Sequence, residues 1–283
     1  MGYRVFGLWA LLTVVAIPEL TLAGEVRVEV PFRLCRDYAI VVEGAIGPLE
    51  KLHFLLDTGA VPSVIDRRVA KRLRLTGSKQ RLSVFSKNIR ARRVILPDLR
   101  VGPVSVISVP VLVQDLSFVE EGLGVRVDGM IGLDILGQAS FTIDYSAKKL
   151  AFGPAETLGS PHALQSGPGF VYLTIQVQSQ PLYLVVDTGA KDLVLLATRV
   201  ASQLNALQTQ GTKASSNMGG TVYLKEVQLP EARLGTTELG TLNAFLLESQ
   251  SGGNPGFDGL LGIRSLGVTR VAFDFERQTI SWQ

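Results

Sequence analysis

The chain is poor in the residues that build cysteine-based and histidine-based sites. Its 283 residues include one cysteine, Cys35, and two histidines, His53 and His162. A single cysteine excludes an internal disulfide and any zinc site built from a cysteine cluster. Two histidines argue against a histidine-rich metal site and a histidine-based catalytic triad. We therefore predict that this protein uses neither a metal nor another cofactor.

Charge is also scarce, and it is uneven along the chain. Charged residues make up 19% of the sequence and the net charge is +3, which is too small to indicate nucleic-acid binding unless the charge is clustered. Residues 67–93 contain eleven Lys or Arg and no Asp or Glu. Two interpretations of this stretch are open: the solvated face of a helix and hairpin, or a surface that attracts acidic substrates or an anionic envelope. We predict no nucleic-acid partner.

The first residues have the pattern of a targeting signal. Arg4 precedes an apolar run over residues 5–17, and small residues at Thr21 and Ala23 suit cleavage after Ala23. The alternative, an uncleaved anchor, is disfavoured because the run is shorter than the about 20 residues that cross a bilayer. We therefore predict a signal peptide over residues 1–23, a periplasmic or secreted mature protein, and no stable membrane span after cleavage.

The mature chain contains an internal repeat. Asp-Thr-Gly-Ala at 57–60 recurs at 187–190, and Asp-Gly followed by two apolar residues and Gly at 128–132 recurs at 258–262. Both recurrences have an offset of 130 positions. We predict two homologous lobes, over 24–153 and 170–283. A linker rich in Gly and Pro joins them over 154–169.

Each lobe has the pattern of β-structure. Residues 26–30 and 171–177 alternate between apolar and polar, and apolar runs at 54–56 and 184–186 lead into the two Asp-Thr-Gly-Ala motifs. Many short strands with regular turn signals predict an all-β barrel or sandwich. Short helices are expected at 67–75 and 198–207, with a further helical turn at 133–136 and at 263–266.

The paired Asp-Thr-Gly-Ala motifs are candidates for catalysis. A carboxylate that ends a buried apolar strand is costly unless it is hydrogen-bonded, and the following glycine lets backbone N–H groups approach it. A pseudo-twofold axis would bring Asp57 and Asp187 face to face. Two carboxylates so close share one proton, and such a dyad can activate water while it polarises a carbonyl group. The alternative is a pair of strand-end turns left by the duplication.

These motifs, together with the apolar-apolar-Gly segments that follow them, resemble the aspartic peptidase superfamily. Alanine after each Asp-Thr-Gly is similar to the retropepsin-like branch, and exported bacterial proteases with two tandem lobes are the nearest resemblance. The resemblance implies two retropepsin-like β-barrel lobes about a pseudo-twofold axis, with a short helix or two per lobe. It covers nearly the whole mature chain, so that a monomer is sufficient for one active site.

The resemblance implies a role for each matching residue. Asp57 and Asp187 would be catalytic, and a hairpin in each lobe would form a flap over the substrate. The remaining implied residues are the dyad supports Thr58, Gly59, Ala60, Thr188, Gly189 and Ala190, the loop-supporting strand residues Ile131, Gly132, Leu261 and Gly262, and the flap candidates Lys87, Asn88, Ile89, Met218, Gly219 and Gly220.

Two functions follow from this interpretation. The first is an exported aspartic endopeptidase, a hydrolase that cleaves polypeptides with water activated by the Asp57/Asp187 dyad. The alternative is a catalytically silent peptide-binding or regulatory envelope protein of the same fold. Replacement of the aspartates would favour the second, but both aspartates are present.

Overall fold

The computed structural model describes residues 27–84, 87–167, 169–201, 204, 207, 209–217, 220–248 and 256–283. The predicted signal peptide over 1–23 lies outside this part of the chain. None of the helices in the described part combines the length and the apolar character that a bilayer crossing requires.

The first half of the chain folds mostly into strands. Its strands are β1 (Val28–Pro31), β2 (Arg33–Cys35), β3 (Ala39–Ile46), β4 (Leu49–Leu56), β5 (Val64–Asp66), β6 (Gly77–Val84), β7 (Lys87–Val101), β8 (Val104–Gln114), β9 (Gly129–Ile131), β10 (Phe141–Asp144) and β11 (Lys149–Phe152). Its helices are α1 (Arg67–Arg72), α2 (Ser117–Leu123) and α3 (Leu133–Leu136).

The described part of the second half repeats this order of strands. Its strands are β12 (His162–Ala163), β13 (Gln165–Gly167), β14 (Phe170–Val177), β15 (Gln180–Asp187), β16 (Leu193–Leu196), β17 (Thr209–Asn217), β18 (Gly220–Leu234), β19 (Thr237–Leu247), β20 (Gly259–Gly262), β21 (Arg270–Asp274) and β22 (Thr279–Trp282). Helix α4 (Ala197–Val200) and a 3-10 turn (Ile263–Leu266) complete it.

Each lobe is a β-barrel, as the repeat predicts. The first sheet has the order β2-β3-β4-β9-β5-β8-β7-β6, and the second has the matching order β13-β14-β15-β20-β16-β19-β18-β17. One further pairing closes each sheet by joining its second strand to its second-last strand: Ala45 of β3 is opposite Arg100 of β7 in the first, and Gln176 of β14 is opposite Arg233 of β18 in the second. The all-β fold and the two barrel lobes are therefore confirmed.

A third sheet joins the two lobes. Its order is β1-β11-β10-β21-β22-β12, so that three strands of the first half continue into three strands of the second half through the pairing of β10 with β21. At its centre Phe141 is paired with Phe273, and their rings stack with centroids 4.7 Å apart. One apolar core continues from the first barrel through this sheet into the second. Because the lobes share a sheet and a core, their relative position is fixed.

The local patterns explain most elements. In β14 buried and half-buried residues alternate, as a strand with one face in the core requires. Helix α1 begins at 67 as predicted and ends at Arg72, and α4 spans Ala197–Val200, so that it begins one residue before the predicted start at 198. Strands β12 and β13 lie in the segment 154–169 that was interpreted as a linker. Helix α2 was not predicted, and it packs against β17 of the other lobe.

Candidate active site

The two Asp-Thr-Gly-Ala motifs follow equivalent strands. Asp57 comes directly after β4, and Asp187 is the last residue of β15. Each strand is supported by a parallel neighbour, β9 in the first lobe and β20 in the second. The Asp57 N–H donates to the Ile131 carbonyl at 3.0 Å, and Asp187 is in register with Gly262. The buried apolar ends of these strands therefore fix where each carboxylate stands.

The glycine after each apolar pair is required by the motif loop beside it. A Cβ on Gly132 would lie 2.1 Å from the Ala60 carbonyl oxygen, and one on Gly262 would lie 2.6 Å from that of Ala190. Both distances are shorter than real Cβ contacts. Ile131 and Leu261, which precede these glycines, are buried in the core. The segments predicted to support the motif loops thus lie directly against them.

The two threonines join the loops across the lobe boundary. The Thr58 hydroxyl donates to the Val186 carbonyl at 2.7 Å, and the Thr188 hydroxyl donates to the Leu56 carbonyl at 3.0 Å. Each hydroxyl oxygen also accepts the backbone N–H of the other threonine at 3.1 Å. Both side chains are buried. These four reciprocal hydrogen bonds hold the two loops in one arrangement.

The two carboxyl groups meet at the lobe boundary. They hydrogen-bond each other, and each lies against the glycine of the opposite motif. A Cβ on Gly59 would lie 2.5 Å from the Asp187 carboxyl carbon, and one on Gly189 would lie 2.6 Å from that of Asp57. Only glycine fits at these two positions, because any side chain would push the carboxyl groups apart.

Backbone donors hold one oxygen of each carboxylate. Asp57 Oδ1 accepts the Gly59 N–H at 2.9 Å. Asp187 Oδ1 accepts the N–H groups of Gly189 at 2.8 Å and of Ala190 at 3.0 Å. These bonds orient the carboxyl groups so that their remaining oxygen atoms are available to each other and to a substrate.

The pair titrates unlike an isolated carboxyl group. Burial, the charge of Asp187 and the hydrogen bond with Asp187 hold the pKa of Asp57 well above its usual range, and the backbone donors oppose this only in part. Burial also raises the pKa of Asp187, against the hydrogen bonds it accepts. Because two adjacent buried charges repel each other, the dyad retains one proton at a pH where ordinary carboxyl groups are ionised.

A second pair of buried aspartates supports the site and was not predicted to have a role. Asp128 accepts the His53 N–H at 3.0 Å and the Arg126 guanidinium at 2.7 Å. Asp258 accepts the Tyr183 N–H at 2.9 Å and the Arg199 guanidinium at 3.2 Å. Both tie the strand that leads to the dyad to the strand that supports it. The repeated Asp-Gly pairs at 128 and 258 were a signal for this role, because a buried charge needs partners.

The segments predicted as flaps are β-hairpins. Strand β6 pairs with β7, which contains Lys87, Asn88 and Ile89, and β17 pairs with β18. Gly220 begins β18 with a φ of 109°, a conformation that favours glycine. Met218 and Gly219 lie outside the described residues. That these hairpins cover a substrate stays a prediction.

The basic stretch of the first lobe concentrates charge on one side of its hairpin. Lys79 is paired with Arg92 and Arg81 with Arg90 across β6 and β7, and none of the four forms an ion pair with a described carboxylate. Ala91, whose side chain points to the opposite face, packs in a cluster with apolar neighbours of the dyad strands. The four cations thus face away from that cluster.

Within the described residues, no group of three or more His, Cys, Asp or Glu side chains is arranged to hold a metal ion. A family model described as "Aspartyl protease" matches residues 41–135 and again residues 173–264. The two matches contain one Asp-Thr-Gly-Ala motif each and together cover more than half of the chain. No curated protein matches the chain.

The reciprocal threonine bonds predict a specific loss of stability. In Thr58→Val the shape of the side chain is kept, but the Val186 carbonyl and the Thr188 N–H lose their buried partner. We expect the free energy of unfolding in urea to fall by about 2–4 kcal/mol, since each unsatisfied group costs about 1–3 kcal/mol. Thr58→Ser keeps the hydroxyl and should lose only about 1 kcal/mol. Equal losses in the two variants would contradict this role.

The raised pKa of Asp57 predicts a pH dependence of stability. A carboxyl group that binds its proton more tightly when folded stabilises the fold at low pH, and this contribution is lost as the pH rises through its folded pKa. Asp57→Asn removes it. We therefore expect the variant to gain stability relative to the parent between pH 4 and pH 7, by about 1.4 kcal/mol for each pKa unit of the shift.

Urea unfolding of both proteins across this pH range measures the difference. The control is Asp115→Asn, an exposed carboxyl whose pKa is lowered by hydrogen bonds from Ser117. Because the pKa of Asp115 is lowered, its contribution to stability changes below about pH 4, and the stability of this variant relative to the parent should stay nearly constant between pH 4 and pH 7. If Asp57→Asn followed the control, the dyad would not hold a shared proton.

Proposed function

The chain belongs to the aspartyl protease family, in its tandem, two-lobed, retropepsin-like form, and we propose that it is an exported endopeptidase whose catalytic groups are Asp57 and Asp187. The observation that carries this proposal is the buried, hydrogen-bonded pair of carboxyl groups, one from each lobe, whose pKa values are raised. Membership of the family supports peptide hydrolysis in general, and the two carboxyl groups of the dyad would activate the water and the peptide carbonyl group.

The proposed mechanism of peptide hydrolysis requires one proton on the dyad and one water molecule. The ionised carboxylate accepts a proton from the water as its oxygen attacks the peptide carbonyl carbon, and the protonated partner donates its proton to the carbonyl oxygen. In the resulting tetrahedral intermediate the carboxyl that gained a proton passes it to the nitrogen of the leaving group as the C–N bond breaks. The other carboxylate takes a proton from a hydroxyl group of the intermediate, which becomes the new carboxylic acid. The dyad then holds one proton again and is ready for the next substrate.

The N–H groups of Gly59, Gly189 and Ala190 position the dyad without supplying a proton. They donate to Oδ1 of each aspartate and so fix the orientation of the two carboxyl groups. Since each lobe gives one motif, a single chain completes the site, and we propose that the monomer is active on polypeptides with no nucleic-acid partner.

Export is proposed from residues 1–23. Their charged, apolar and small-residue segments occur in the order of a secretory signal, and the mature chain contains no pair of cysteines that an oxidising compartment could join. We propose a periplasmic or secreted location, where the protease would meet polypeptides outside the cytoplasm.

Substitution of either aspartate tests the dyad directly. Asp57→Asn and Asp187→Asn each keep the shape of the side chain and remove the charge. Each should reduce kcat/KM for peptide cleavage at least about a thousandfold, and the double variant should be hardly worse, because residues that act as a unit are not additive. The assay is the appearance of new peptide amino termini from a mixed peptide library incubated with the mature protein.

Asp115→Asn, which changes an exposed carboxyl outside the site, should retain the activity of the parent. Circular dichroism of each variant checks that the fold is intact. If either single variant at the dyad kept most of its activity, the assignment would be wrong. A parent protein that binds peptides and cleaves none would instead identify the silent peptide-binding alternative.

A further inference from the structure

A cavity of about 370 Å³ lies between the two lobes on one side of the dyad. The first lobe lines it with the turn between β2 and β3, where Arg36, Asp37 and Tyr38 lie. The second lobe lines it with Lys191 and Asp192, which follow the second Asp-Thr-Gly-Ala motif, and with Arg264. Both lobes therefore contribute charged side chains to one pocket that is partly open to solvent.

This cavity is adjacent to the proposed catalytic groups. Lys191 directly follows Ala190, whose N–H donates to Asp187 Oδ1 at 3.0 Å. Tyr38 is half-buried in the cavity wall, and its phenol is close enough to the dyad for their charges to act on it. Burial and the charges of Asp192, Asp187 and Asp57 raise the pKa of Tyr38. A peptide that reaches the dyad would therefore place a side chain in or beside the cavity.

The two residues that follow the first motif are apolar, unlike those that follow the second. Val61 and Pro62 follow the first motif at the positions that Lys191 and Asp192 occupy after the second. The turn between β13 and β14, which corresponds to the turn of Arg36 and Asp37, already touches Val61: a Cβ on Gly169 would lie 3.0 Å from Val61 Cγ1. The residues that follow the two motifs thus differ in polarity.

The charge inside the cavity favours an anion. The Arg36 guanidinium donates to the Gly122 carbonyl at 3.1 Å, and that of Arg264 donates to the Asp37 carbonyl at 3.0 Å, so both bind neutral groups. Lys191 forms no ion pair with a carboxylate in the described part of the chain. Of the two acids in the wall, Asp192 is neutralised by Lys213. Arg36, Lys191 and Arg264 thus line the cavity together with one acid, Asp37, that forms no ion pair in the described part of the chain, although the Arg264 guanidinium also lies over the Tyr145 ring at 4.7 Å.

We propose that this cavity is a subsite that selects an acidic substrate side chain on one side of the scissile bond. Lys191 would bind the carboxylate, and Arg36 and Arg264 would add positive charge around it. Val61 and Pro62 would favour an apolar side chain on the other side. The proposal rests on the proposed peptidase function and extends it: substrates are polarised, with an acidic residue toward the cavity.

The test uses degenerate decapeptide libraries. Each library fixes Glu, Gln or Lys at one position and randomises the others, and new amino termini are quantified and sequenced. For the parent we expect a preference of Glu over Gln of about tenfold at one position on one side of the cleavage point, the scale of one hydrogen bond to a charged group. Lys191→Gln should abolish this ratio, and Lys191→Glu should reverse it toward Lys.

The matched control is Lys148→Gln, on the exposed turn between β10 and β11, which should keep both the parent's rate and its preference. Reversal in Lys191→Glu cannot arise from partial unfolding, because a damaged protein loses preference and gains none. Cleavage with equal rates for Glu, Gln and Lys at every position would overturn the subsite and leave the peptidase function intact.

Binding separates the two proposals when cleavage fails. The same libraries are equilibrated with immobilised Asp57→Asn protein, and the bound peptides are quantified. If the parent cleaves nothing but this protein retains Glu peptides about tenfold better than Gln peptides, and Lys191→Gln in the same background removes the difference, the subsite stands without the peptidase function. If there is neither cleavage nor selective binding, the subsite is overturned as well.

Discussion

The reciprocal hydrogen bonds between Thr58 and Thr188 are the constraint on which the rest of the site depends. Each threonine can reach its partner only if β4 and β15 end at the same depth on either side of the lobe boundary. When the two strands end at the same depth, the glycine that follows each threonine lies directly against the carboxyl group of the opposite lobe. The two carboxyl groups are therefore held next to each other. The proximity that raises the pKa of Asp57 is thus a consequence of backbone geometry that the threonines fix.

The duplicated sequence builds a symmetric centre inside an asymmetric cleft. Around the dyad the two lobes have equivalent structures. The equivalence includes the buried Asp128 and Asp258, each of which connects the strand that leads to the dyad with the strand that supports it. At the residue that directly follows each motif the two repeats differ: Val61 in the first lobe corresponds to Lys191 in the second. Symmetry is retained where two carboxyl groups must share a proton, and it is lost where a substrate with two different ends must be recognised.

Much of this could be predicted from the sequence because the repeat supplies the same signals twice. The apolar runs before Asp57 and Asp187 and the glycines after them indicated both the strands and the turns. Helix α2 was missed because its first residue, Ser117, follows a non-capping Leu116, and its end depends on Gly124 in a left-handed conformation. The cavity could not be predicted, because Tyr38 and Lys191 are far apart in sequence and meet only when both barrels have formed.

A carbon-13 NMR titration of the carboxyl groups tests the shared proton most directly. Protein labelled at the aspartate side-chain carboxyl carbon would be titrated, with the signals assigned from the spectra of Asp57→Asn and Asp187→Asn. We predict that the dyad signals titrate together and that one proton remains on the pair after the exposed aspartates have ionised. Two independent titrations in the ordinary range of aspartate would contradict the account.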